Sequence, residues 1–260
     1  MTDEQRSIEL EVEVPGSPEE VWAAIATGPG ITSWYVPHEV EQRAGGRAHA
    51  SFGPDPEMQA PGRVAVWDPP NRIVFDGGEG VGGMAFEWLI EARDGGTCVV
   101  RLVNSGFGSG EDWDDQYDAM TEGWKVFLTN LRLHREHFPG RDASALVPMA
   151  YWSVDAETAW RRLADALGVP ESPAVGERVE AVAGDDLRVA GTVQATMPTG
   201  FALLLDEPTE GTGFLLTEGV GDQTMASVWT YLYGDERDRI AERDEPRWRA
   251  WLESLPPNDD

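Results

Sequence analysis

Apolar and polar positions alternate from the start of the chain. Ile8, Leu10, Val12 and Val14 are interleaved with Glu9, Glu11 and Glu13, the period-two pattern of a half-buried strand. Ser17-Pro18-Glu19-Glu20 then predicts a helix start, with serine at the N-cap, proline in the first turn and Glu20 closing a capping box. Val21, Trp22 and Ile25 form the buried side of this short helix, Gly28-Pro29-Gly30 breaks it, and residues 31–35 add a second helical turn. From residue 36 to 105 the pattern is strands and tight turns. Runs at 36–42 and 47–52 flank Gly45-Gly46; 62–67 and 72–75 flank Pro69-Pro70-Asn71; 84–92 and 97–103 flank Asp94-Gly95-Gly96. Phe86, Trp88 and Ile90 alternate with Glu87, Leu89 and Glu91, so that aromatic face should look inward.

The periodicity changes at residues 111–138. Tyr117, Met120, Trp124, Leu128 and Leu131 recur three or four apart, which makes one oily stripe along a helix. Glu111, Asp112, Asp114 and Asp115 crowd its start, and Arg132, His134, Arg135 and His137 crowd its end, the order the helix dipole favours. Pro139-Gly140 stops it. A rod about 40 Å long needs a broad surface to lie on, and the meander of six strands supplies one. The expectation is α+β: a strand, two short helices, the antiparallel meander, then one long helix.

Residues from 144 onward repeat the plan. A first strand at 145–154 precedes Asp155-Ala156-Glu157-Thr158-Ala159-Trp160, which stands where Ser17 to Trp22 stood. Strand-like runs follow at 176–182, 187–195, 201–206, 213–218 and 225–233, and a final helical segment at 246–255 carries Trp248, Trp251, Leu252 and Leu255. The order of elements predicts a shorter, divergent duplicate, with domains at 1–140 and 145–260 and a linker at 141–144.

Composition narrows the function. A net charge of −27 leaves no Lys/Arg cluster to meet nucleic-acid phosphates or an anionic membrane surface, and Lys125 is the sole lysine. At 41% hydrophobic residues the chain is that of an ordinary folded protein, without an uncharged stretch long enough to span a bilayer. The opening MTDEQRS has no apolar run behind a basic patch, so a cytoplasmic location is expected. Cys98 is the only cysteine, which rules out an internal disulfide and a cysteine-rich zinc site. Its place in TCVVRLV predicts a small core residue rather than a nucleophile.

Several of these pieces occur in an order seen elsewhere: Ser17 to Trp22, Trp34, Gly45-Gly46, GRVAVWDPPNRIVF at 62–75, Gly95-Gly96-Thr97 and Gly123-Trp124. Over residues 8–138 the chain resembles the SRPBCC (START-like) superfamily, in its branch related to the activator of the ninety-kilodalton heat-shock-protein ATPase (AHSA1-like). The second half is less similar. The resemblance implies a helix-grip (Bet v 1-like) fold, a curved antiparallel sheet around the long C-terminal helix, in two tandem copies here, with a hydrophobic cavity between sheet and helix that holds small molecules. The physics is consistent: a twisted sheet and a straight helix, each with one apolar face, cover one another without touching everywhere.

Trp34, Phe75, Phe86, Trp88, Tyr117, Met120 and Trp124 are the candidates to line such a cavity, with plain core packing as the competing account. Tyr117 stands out because its hydroxyl can bond a ligand while its ring stays packed. His134 and His137 lack a third metal ligand nearby and suit a helix C-terminus instead. His38 and His49 lie in or beside strands, and either would need an orienting partner to act as a base. The acidic run at 111–118 lacks calcium-loop spacing, and the glycine-rich 77–83 lacks the lysine and following helix of a phosphate loop. No metal, cofactor or catalytic set is expected. Binding of a hydrophobic small molecule is the leading reading; a co-chaperone-like interaction module and a cyclase- or hydrolase-type enzyme remain open.

Overall fold

The computed structural model describes residues 6–78, 83–107, 114–184 and 186–255, with the side chains of 114–116 excepted. The chain forms two compact units, Met1–Asp142 and Ala143–Asp260.

In the first unit, strand β1 (Arg6–Pro15) leads into helices α1 (Pro18–Ala26) and α2 (Gly28–Thr32). Strands β2 (His38–Val40), β3 (Arg47–Ser51), β4 (Gln59–Asp68), β5 (Arg72–Asp76), β6 (Ala85–Arg93) and β7 (Thr97–Phe107) follow, and helix α3 (Asp114–His137) closes the unit. The antiparallel sheet runs β1-β7-β6-β5-β4-β3-β2, so the first strand pairs with the last and the meander unrolls from there. Ile8 and Val14 of β1 are buried while its glutamates face outward, where Glu11 meets Arg101 of β7 at 2.7 Å. The capping box forms as predicted: the Ser17 hydroxyl accepts from the Glu20 backbone at 3.3 Å, and the Glu20 carboxylate accepts from the Ser17 backbone at 2.8 Å. Along α3, Trp124, Leu128 and Leu131 are buried and α3 lies along β1. Cys98 is buried in β7, its thiol donating to the Gly16 carbonyl at 3.3 Å, which makes it a core residue.

The second unit repeats this topology with one meander strand fewer. Strands β8 (Ser144–Leu146) and β9 (Met149–Trp152) precede α4 (Ala156–Leu167). Strands β10 (Arg178–Ala183), β11 (Leu187–Met197), β12 (Gly200–Glu207), β13 (Gly211–Val220) and β14 (Gln223–Leu232) follow, then α5 (Arg237–Ser254). The sheet runs β10-β11-β12-β13-β14, and β14 pairs with both β8 and β9. The single strand expected at 145–154 is thus split at Val147-Pro148, where proline has no N–H to give the ladder. Trp160 of α4, Phe201 of β12, Val228 of β14, and Trp248 and Leu252 of α5 share one core. The last helix begins nine residues earlier than residue 246 and runs through Pro246. Ile240, Trp248 and Leu252 are all buried against the sheet, and that packing holds a helix where local propensity predicts a start. Both units are helix-grip folds, α+β, in tandem. Among the described residues no helix is long and apolar enough to cross a membrane.

Candidate functional site

The first unit holds a cavity of about 220 Å³. Its existence follows from side-chain size. On β3 and β4 the register pairs Ala50 with Ala60 and Ala48 with Gly62, and all four line the cavity. Opposite them stand large rings: Phe75 of β5 pairs with Phe86 of β6, and Trp88 lies two residues further along β6. Alternation puts every second residue of a strand on one face, so small residues on one stretch of the sheet and aromatics on the next leave space that neither fills.

Helices close the remaining sides. Ile25 of α1 and Ile31 of α2 line the cavity, as do Trp34 and Tyr35 just beyond α2 and Trp124 of α3. The rings brace one another edge to face. Trp34 and Trp88 have centroids 5.5 Å apart at 79°, and Trp88 and Trp124 are 5.5 Å apart at 78°. Phe86 meets Trp124 at 5.7 Å. Two of the indole N–H groups are occupied elsewhere: Trp34 donates to the Ala24 carbonyl at 2.9 Å, and Trp124 to the Asn104 side chain at 3.3 Å. Asn104 is itself held by the Ala85 carbonyl at 3.2 Å. Trp34 and Trp124 therefore present apolar surface, as a pocket of mostly apolar lining requires.

Of the seven expected lining residues, the cavity brings together Trp34, Phe75, Phe86, Trp88 and Trp124. Tyr117 and Met120 are not in its lining. The Tyr117 hydroxyl donates to the Ser7 carbonyl at 3.0 Å, and its ring packs on Phe107 at 5.3 Å, so it ties α3 to β1. The stripe on α3 is long enough to pass the cavity only near Trp124.

The polar lining was less legible. Tyr35 was missed by helical periodicity because α2 ends at Thr32; the adjacent aromatic pair Trp34-Tyr35 was the available signal. Its ring sits 4.4 Å from Phe127 and 5.0 Å from Trp124. Enclosure by these groups raises the phenol above its ordinary pKa, since the phenolate would lose its hydration. His38 also lines the cavity, and its Nδ1 lies 2.8 Å from the Val36 carbonyl. Burial lowers its pKa to about 4, against a smaller opposing effect of that carbonyl, so the ring is neutral near pH 7. His49 is half-buried in the lining. Asp76 completes the polar set: Arg63 grips it at 2.8 and 3.3 Å, and the Gly78 N–H adds a bond at 2.9 Å. Arg63 is the chief cause that holds this carboxyl below the usual range.

The other candidates fall away from this space. His134 is buried and His137 exposed, and among the described residues no cluster of three or more His, Cys, Asp or Glu could hold a metal ion. Residues 111–113 of the acidic run and 79–82 of the glycine-rich piece lie outside the described residues.

Residues 15–134 match the family described as Activator of Hsp90 ATPase homolog 1-like protein. No curated protein matches the chain. Among solved structures, protein MLL2253 from Mesorhizobium loti is 18% identical, over 51% of this chain and 98% of its own, at a TM-score of 0.44. The Aha1 dimer from Colwellia psychrerythraea is 17% identical over 52% of this chain and 99% of its own, at 0.43. The di-domain ARO/CYC BexL, from the BE-7585A biosynthetic pathway, is 17% identical over 96% of this chain and 100% of its own, at 0.44.

Proposed function

Because the first unit belongs to the AHSA1-like branch of the SRPBCC superfamily, we propose that its cavity binds a small, largely hydrophobic molecule. One observation carries this reading: the rings of Trp34, Trp88 and Trp124, two of them with their N–H groups bonded elsewhere, border about 220 Å³ of open space. Protein interiors are packed with few voids larger than a water molecule, so a ring-lined space of this size is a feature to be used. It is smaller than the ~300–1,000 Å³ typical of pockets for drug-sized ligands. That favours a compact aromatic or alicyclic compound, or one end of a longer molecule.

The test is a titration of the full chain with small aromatics, followed by tryptophan fluorescence and thermal denaturation. A ligand at one hundred times its Kd should stabilise the protein by about 2.7 kcal/mol. Ala50→Leu fills the small-residue floor and should weaken binding about tenfold or more, a loss of about 1.4 kcal/mol, with no drop in Tm. If no aromatic shifts the transition, or if Ala50→Leu binds as tightly as the parent, the reading is wrong.

A catalytic role has one observation in its favour. His49 lines the cavity and makes no hydrogen bond through its ring among the described residues. Mass spectrometry of a bound compound before and after long incubation decides it; an unchanged compound, in the parent and in His49→Ala alike, removes catalysis. A chaperone-directed role rests on family membership alone, and a fold does not carry a function with it.

A further inference from the structure

Tyr35 and His38 are neighbours in the lining, and each has a polar ring group without a hydrogen-bond partner among the described residues. Tyr35 bonds through its backbone, N–H to the Ile31 carbonyl at 2.9 Å, but its hydroxyl makes no hydrogen bond among the described residues. His38 bonds through its backbone N–H to the Thr32 hydroxyl at 2.9 Å and through Nδ1 to the Val36 carbonyl at 2.8 Å. A carbonyl oxygen can only accept, so Nδ1 carries the proton and Nε2 of the neutral ring is left as an acceptor. Nε2 likewise has no partner among the described residues. The two rings are neighbours, with centroids 5.4 Å apart. The cavity therefore offers one donor and one acceptor side by side, in walls that are mostly apolar.

Only a few chemical groups answer both. A hydroxyl accepts from Tyr35 and donates to His38 Nε2; a hydrocarbon does neither; a carboxylate can accept but has no proton for Nε2. The carboxylate would also bring a charge into a mostly apolar site whose lining, among the described residues, holds no Lys or Arg to meet it. We propose that Tyr35 and His38 form the polar anchor of the cavity and select a neutral aromatic alcohol over the hydrocarbon of the same shape and over the matching carboxylate. This rests on the cavity being a binding site, and it adds the class of ligand.

The experiment compares 2-naphthol, naphthalene and 2-naphthoate with the full chain by calorimetry or fluorescence, in the parent, Tyr35→Phe and His38→Phe. The expected result is that 2-naphthol binds about tenfold or more tighter than naphthalene, the effect of answering a buried polar group, with 2-naphthoate weakest. Tyr35→Phe should bring 2-naphthol to within about threefold of naphthalene, one polar bond being removed, while naphthalene binds as before. Retained naphthalene affinity also shows that the variant is folded. His38→Phe should erode the preference in the same way, and serves if Tyr35→Phe proves unstable. Equal binding of naphthol and naphthalene to the parent, or tightest binding of 2-naphthoate, overturns the anchor and leaves the apolar cavity standing. Failure of all three compounds to bind removes the cavity reading and the anchor together.

Discussion

Gly16 and Arg135 show how much one residue pair can hold. Gly16 joins β1 to α1 with φ at +126°, a region open to glycine and strained for other residues. A Cβ placed there would lie 2.4 Å from the Arg135 guanidinium. That guanidinium is only 3% exposed; its Nε donates to the Pro15 carbonyl at 3.3 Å and its Nη2 lies 3.8 Å from Glu20. Arg135 thereby links the end of α3 to the first turn of α1. Gly16→Ala should destabilise the first unit by about 1–3 kcal/mol, from strain at that φ and displacement of the arginine. Thermal denaturation reads the effect directly, and an unchanged midpoint would show that the link carries no stability. From the sequence, Arg135 was one of several cations suited to a helix C-terminus. Its burial depends on where β1 ends, which helix periodicity does not contain.

Among the elements, α1 and α5 stand at opposite ends of legibility. Helix α1 is specified locally, because Ser17, Pro18 and Glu20 supply the cap within four residues. Helix α5 contains Pro246, which removes one intrahelical bond and crowds the preceding turn. Pro246 is itself exposed, so its ring contributes no packing that alanine would lose. Pro246→Ala should therefore stabilise the second unit by about 1–3 kcal/mol. Chemical denaturation monitored by Trp248 and Trp251 would detect it as a raised midpoint; a lowered one would mean that the proline is needed to aim Trp248 at the core. The split between β8 and β9 has the same character: alternation announces a strand, but the break at Pro148 matters only because both pieces must still pair with β14.

For the molecule as a whole, the histidines give stability a definite pH dependence. His38 titrates near 4 and His134 near 3 in the folded state, each lowered chiefly by burial from about 6.5 in the unfolded chain. Below pH 6.5 the unfolded chain binds protons that the folded one refuses. The stabilisation from neutral burial is thus complete above pH 6.5 and falls as pH drops, levelling off below about 4 for His38 and about 3 for His134. The slope should approach, and not exceed, about 1.4 kcal/mol per pH unit for each histidine. Relief of the net charge of −27 acts in the opposite direction over the same range. High salt screens that charge and leaves the buried rings untouched, so the melting temperature at high salt should fall from pH 6.5 to 4.5. His134→Gln should flatten the fall, and an equally steep profile in that variant would sink the assignment.

Local pattern by itself determined the order of elements, the tandem repeat of the plan, the inward aromatic face of β6 and the capping of α1. Each depends on residues within one turn or one hairpin, and short-range sterics and hydrogen bonding suffice. It also identified Trp34, Phe75, Phe86, Trp88 and Trp124 as ring-bearing positions of the inner face. Tertiary structure alone decided that Ala48, Ala50, Ala60 and Gly62 would stand opposite those rings, that Tyr117 would bond to β1, and that Tyr35 and His38 would share one cavity. Those outcomes depend on strand register and helix placement, which bring together residues tens of positions apart. Empty volume belongs to the assembled fold, since it is created by what several distant segments fail to fill.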